Sequence, residues 1–219
     1  MAPPLTRVPG GPVRGTRVPG SAGIGTFSAM PIVPDTKDWT WVLERPCPEC
    51  GFDASTLAAT DVAGLVRENA EAWQRVLARP DDELTARPSE DRWSALEYAC
   101  HVRDVLRLYD QRLALMLTED EPDFANWDQD ESAVADRYNE QDPALVAQAI
   151  DEAAGPIADR FASVAGADWQ RTGNRSDGAV FTVDTFARYF VHDPIHHLDD
   201  VAKGFAELGL AATPSPPGG

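Results

Sequence analysis

Four stretches of this chain carry apolar residues at the spacing of a helix face, and almost nothing alternates as a strand would. From Asp61, an expected N-cap, the stripe Val62, Leu65, Val66, Ala70, Trp73, Val76 and Leu77 runs toward Pro80, which lies just past its end. A second helix opens at Ser94-Ala-Leu-Glu97, a capping-box pattern with Trp93 placed to staple the entry. It continues through Leu96, Ala99, Val102, Val105, Leu106 and Leu113 to about Leu117. The third begins with Pro143 at its first position and ends near Ala165, with Ile150, Ile157, Phe161 and Val164 on its apolar side. Gly155-Pro156 is expected to kink or interrupt it. The fourth runs from Thr182 or Val183 to about Leu208 on Phe186, Tyr189, Phe190, Ile195, Val201 and Phe205.

Stripes of this kind are stable only when buried against one another, so the predicted fold is all-α, a four-helix bundle over residues 61–208 with an irregular N-terminal extension. The connection from Glu119 to Asp142 is acidic and without a clear period, although Phe124, Trp127 and Tyr138 could pack locally. Gly173 to Gly178 reads as a turn, and Val180-Phe181 as a short extended piece. Residues 30–60 form a strap containing Trp39, Trp41 and the cysteines Cys47 and Cys50.

The two ends have a different composition. Residues 1–29 hold Arg7, Arg14 and Arg17, no acids and repeated Val-Pro-Gly and Gly-Pro steps, which predicts a disordered leader. Met30 followed by Pro-Ile-Val-Pro resembles a second start, so the leader is either an upstream start-site extension or a flexible arm. Residues 209–219 read as a disordered tail. The formal charge of −17 opposes binding to nucleic acid phosphates or an anionic membrane surface. No apolar run approaches the ~20 residues of a membrane span, and no secretory signal stands at the start. A cytoplasmic protein acting on a small molecule is the expectation.

All four histidines lie in two short segments, Glu97-Tyr-Ala-Cys-His101 and His192-Asp-Pro-Ile-His196-His197. On a helix, His192 and His196 point the same way. His101 brought from a second helix would then complete three nitrogen ligands and leave a position open, the arrangement of a catalytic divalent metal. A set of hydrogen-bonded core histidines is the competing reading. Pro194 falls between the two, where an ordinary helix interior loses on the order of 3 kcal/mol, and either metal ligation or a loose structural kink would account for it. Asp200, one turn beyond His196, is a candidate acceptor behind the ligands or a fourth ligand, against the alternative of a solvated helix-end acid. His197 points about 100° away from His196 on an ideal helix and is a candidate substitute ligand.

Cys47-Pro-Glu-Cys50-Gly51 matches the knuckle of a zinc ribbon, which delivers two thiolates from one tight turn. The two further ligands of a structural zinc could come from the partner of a dimer or from Cys100, or the pair could bind nothing. A strap lying over the bundle, anchored by Trp39, Trp41 and Phe52, is the preferred reading.

Trp93-Ser94 followed by Glu97 and His101, together with the His192-x-x-x-His196 pair on the last long helix, resembles the DinB superfamily over roughly Asp61 to Leu208. The resemblance implies a bundle holding a divalent metal, often zinc or nickel, with His101, His192 and His196 as ligands. Many members follow the last histidines with Gly-Gln, where this chain has Leu198-Asp199-Asp200. The superfamily is functionally mixed and includes bacillithiol- and mycothiol-dependent enzymes. The leading expectation is a metal-dependent S-transferase using mycothiol or a related thiol, with a homodimer as the candidate assembly. A metal-dependent hydrolase and a non-catalytic binding or stress protein are the alternatives.

Overall fold

The computed structural model describes residue 32 and residues 37–211. The expected leader and most of the expected tail lie outside these residues. Four long helices are present where the apolar stripes fall: α1 (Val62–Leu77), α3 (Ala95–Thr118), α5 (Pro143–Ser163) and α6 (Val183–Glu207). Two short helices, α2 (Asp81–Thr85) and α4 (Gln129–Ala135), lie in the connections. α5 and α6 each pack against both α1 and α3, whereas α1 and α3 barely touch. The order around the bundle is therefore α1, α5, α3, α6, with α1 and α3 on one diagonal.

Local chemistry sets most helix ends. Ser94 accepts from the Glu97 N–H while the Glu97 carboxylate accepts from the Ser94 N–H, and Trp93 packs edge-on against Tyr98 at 5.4 Å. Asp142 caps α5 with Pro143 behind it, and Thr182 with Thr185 closes a second capping box on α6. Asp61 occupies the expected position before α1, but its side chain makes no capping bond; a 3-10 turn over Ala59–Asp61 leads into the helix instead. At the other end of α6, Leu210 N–H donates to the Phe205 carbonyl and Gly209 N–H to that of Ala206, a Schellman stop.

Pro156 does not interrupt α5. It stands on the solvent face, as does Glu152, whose carbonyl is the one deprived of a partner, so water can satisfy that group. Pro194 is buried and α6 also runs through it. The buried Asn69 amide of α1 donates to the Pro194 carbonyl at 2.9 Å, tying the two helices together at that residue.

The expected turn and extended piece belong to a small sheet. β2 (Thr172–Arg175) pairs antiparallel with β3 (Val180–Thr182) and parallel with β1 (Asp123–Phe124). The core between the helices is aromatic along α6: Tyr109 stacks on Phe186 and Phe190 at 4.9 and 5.0 Å, and Phe161 stacks on Phe190 at 5.7 Å. The strap runs over α6 through a 3-10 turn at Trp39–Leu43. Among the described residues, no helix is long and apolar enough to cross a membrane.

Candidate metal centre

The histidines gather on α6, but in two groups. Residues 192 and 196 present one face of the helix to the strap. Residues 193 and 197, one step on and about 100° around, present another to α3. His101, Asp193 and His197 form one cluster, and Cys47, Cys50, His192 and His196 form the other. Within each, every residue offers a donor atom within 4.8 Å of all the others. The three histidines expected to share an ion, His101, His192 and His196, are thus divided between the clusters by helix phase. His197, expected as a substitute, stands beside His101. Asp193 was legible only as a neighbour of the ligands, although Asp193-x-x-x-His197 has the same spacing as the histidine pair.

In the first cluster, His101 Nε2 lies 3.3 Å from Asp193 Oδ1, and His197 Nε2 lies 3.8 Å from the same oxygen. The other nitrogen of His197 is engaged, its Nδ1 lying 2.9 Å from Asp200 Oδ2. That contact fixes which nitrogen faces Asp193. His101 is only 1% exposed, yet neither of its ring nitrogens makes a hydrogen bond, and the buried Oδ1 of Asp193 makes none either. Buried polar atoms without partners are costly, so this donor set fits a cation. The separations also lie near the roughly 3.4 Å expected between nitrogen and oxygen donors about 2.0–2.2 Å from a tetrahedral ion. Burial raises the Asp193 carboxyl, but the imidazoles of His101 and His197 outweigh it and hold the group below the usual carboxylate range.

The cluster faces a cavity of about 880 Å³. Trp127 lies parallel to the His101 ring at 5.4 Å, its indole N–H donating to Ser132 at 2.7 Å. The acidic connection without a period thus supplies a wall of the site, through a residue expected only to pack locally. Arg112 and Arg175 also line the cavity. Arg175 is paired with Asp177 and donates to the Tyr189 hydroxyl at 3.0 Å. Arg112 is buried, spends one N–H on the Ala125 carbonyl at 2.6 Å, and leaves its Nε without a partner. Burial without a compensating acid lowers its pKa.

In the second cluster, Cys47 Sγ is 3.7 Å from His196 Nδ1, and Cys50 Sγ is 3.7 Å from His192 Nε2. Burial and the adjacent His196 push His192 down to about 4, and burial also lowers His196, so both rings are neutral at pH 7. Burial pushes the Cys50 thiol up to about 12. Cys100, one of the expected ways of completing the knuckle, is buried on α3 with its sulfur 3.7 Å from the Tyr138 carbonyl, and it joins neither cluster.

The helices cross in this order around a cluster of histidines and a carboxylate whose donor atoms could hold a metal ion. The sequence matches the family model of the DinB superfamily over residues 33–201, and the chain belongs to that superfamily. Among curated proteins, none matches. Two solved structures share the fold. YfiT from Bacillus subtilis, described as a probable metal-dependent hydrolase with an unusual four-helix bundle topology, is 16% identical, with a TM-score of 0.57 over 79% of this chain and 87% of its own. A mutant of a mycothiol-dependent maleylpyruvate isomerase is 12% identical, with a TM-score of 0.54 over 73% of this chain and 64% of its own.

Proposed function

We propose that the protein is a divalent-metal-dependent enzyme that transfers a low-molecular-weight thiol of the mycothiol type to a small electrophile, using zinc or nickel held by His101, Asp193 and His197. The observation that carries this reading is the convergence of the donor atoms of His101, Asp193 and His197 on one another at the edge of an 880 Å³ cavity. A cavity of that size has room for two small molecules. A divalent cation at these residues would supply Lewis acidity, favouring thiolate over thiol near neutral pH.

The remaining work falls to the chain's own side chains. Arg112 is a buried guanidinium that lines the cavity with no acid paired to it among the described residues, so it selects an anionic group on the substrate or the thiol. Arg175, held by Asp177, positions the Tyr189 hydroxyl against the cavity. Burial raises the Tyr189 phenol, which keeps its proton at pH 7 and can donate it in a hydrogen bond. Trp127 covers one face of His101 and keeps water from it.

A hydrolase is the second reading. Two histidines and a carboxylate are the donor set of several metal-dependent hydrolases, and YfiT is described as one of that class. Titrating mycothiol into the cobalt-substituted protein separates the two. Thiol transfer predicts a sulfur-to-cobalt charge-transfer band that grows with added thiol at a pH below the roughly 8.5 of a free thiol. In His101→Ala that increment should vanish. No increment, with cobalt shown to be bound through His101, would remove the thiol reading and favour the hydrolase.

A further inference from the structure

We propose that Cys47, Cys50, His192 and His196 form a second metal site, a closed structural zinc centre that fastens the N-terminal strap to α6 beside the catalytic cavity. The proposal stands apart from the function argued above, because it uses none of the residues of the His101 cluster.

The distances are those of a tetrahedral centre. Zinc bonds of about 2.3 Å to sulfur and 2.0–2.1 Å to nitrogen place neighbouring sulfur and nitrogen donors about 3.6 Å apart. Both cross-strap contacts, Cys47 to His196 and Cys50 to His192, measure 3.7 Å. All four donor atoms lie within 4.8 Å of one another. Two thiols and two imidazoles suit zinc, and four protein donors leave no open position. The other cluster, with three donors of nitrogen and oxygen, is the open one.

The strap is shaped to deliver its pair. Gly51 takes a left-handed conformation at φ 78°, its N–H donates to the Cys47 carbonyl at 2.8 Å, and Cys47 N–H donates to the Phe52 carbonyl at 2.9 Å. This turn brings the two sulfurs to one side, and the Phe52 N–H is directed at Cys50. Cys47, His192 and His196 are all buried. The site is also supported from behind. Asp200 Oδ2 lies 3.5 Å from His196 Nε2, leaving Nδ1 to face the thiol. Trp39 covers both rings, with centroids 5.5 and 5.0 Å away. Trp39 and its neighbours Lys37 and Asp38 line the large cavity, so the centre would hold one of its walls in place.

The alternative is a metal-free contact of the two thiols with the two imidazoles. The test uses the full-length protein without a histidine tag. His101→Ala, purified with zinc supplied, should retain one zinc per chain, and X-ray absorption should show two sulfur neighbours at about 2.3 Å. Cys50→Ser should lower the zinc content of the wild type by one per chain. If that variant does not fold, the wild type still decides: replacing zinc by cobalt should give a sulfur-to-cobalt band with no thiol added. Zinc without sulfur neighbours, or a cobalt protein lacking that band, would overturn the proposal.

Discussion

His196 and His197 are consecutive, yet they face different partners, and Asp200 touches both. Its Oδ2 is 2.9 Å from Nδ1 of His197 and 3.5 Å from Nε2 of His196. Of the three readings open for this acid in the sequence (acceptor behind the ligands, fourth ligand, solvated helix-end acid), the acceptor behind the histidines is the one we propose from these distances. Burial raises the carboxyl, but its contact with His197 outweighs that and keeps it ionised. Asp200→Asn should weaken divalent-metal binding about 10–100-fold in each cluster, because both rings lose the partner that orients them. Competition with a chromophoric chelator would measure this. A loss confined to one metal equivalent would show that Asp200 serves only one ring.

At the scale of elements, the small sheet illustrates what periodicity leaves unread. Its first strand has two residues and pairs with a strand about 50 positions later, so no local alternation announces it. Gly173 in β2 lets the sheet approach α3. A Cβ there would stand 2.8 Å from Met116 Cγ and 2.8 Å from Phe124 Cε1. Gly173→Ala should therefore destabilise the protein by about 1–3 kcal/mol through overpacking, read as a lower midpoint in urea. An unchanged midpoint would mean that Met116 gives way freely. The long helices were legible because stripe, cap and stop agree at the same positions, as at Ser94, Glu97 and Trp93. Of the kink or interruption expected at Pro156, the interruption is absent for a reason only burial reveals, since the carbonyl the proline leaves without a backbone partner lies toward water.

For the whole molecule, acid stability depends on bonds that link the connections to the bundle. Asp104 of α3 accepts from the Tyr138 hydroxyl at 2.7 Å and from Arg103 at 2.9 and 2.7 Å. Burial raises its carboxyl, but these bonds outweigh burial and leave it below the usual carboxylate value. A depressed folded pKa gives stability that is complete above the unfolded value near 3.9 and is lost as pH falls through the folded one. Asp104→Asn should accordingly cost about 1–2 kcal/mol at pH 7, and the gap to wild type should narrow below about pH 4. Urea unfolding at both pH values checks this. A gap that stays constant would assign the loss to packing instead of charge.

Helix positions, the capping box at Ser94 and the collection of histidines on two segments were determined by the sequence alone, because each depends on neighbours within a turn or two. The sequence also placed an i, i+4 pair on the last helix. It did not say which of two such pairs, His192 with His196 or Asp193 with His197, would face α3. That depends on the rotation of α6 about its axis, which is set by packing Phe186 and Phe190 against Tyr109 and Phe161. Nor could spacing join Cys47 to His196 across 149 positions. Contacts of that range are decided by how the helices and the strap pack together, and only the tertiary structure contains them.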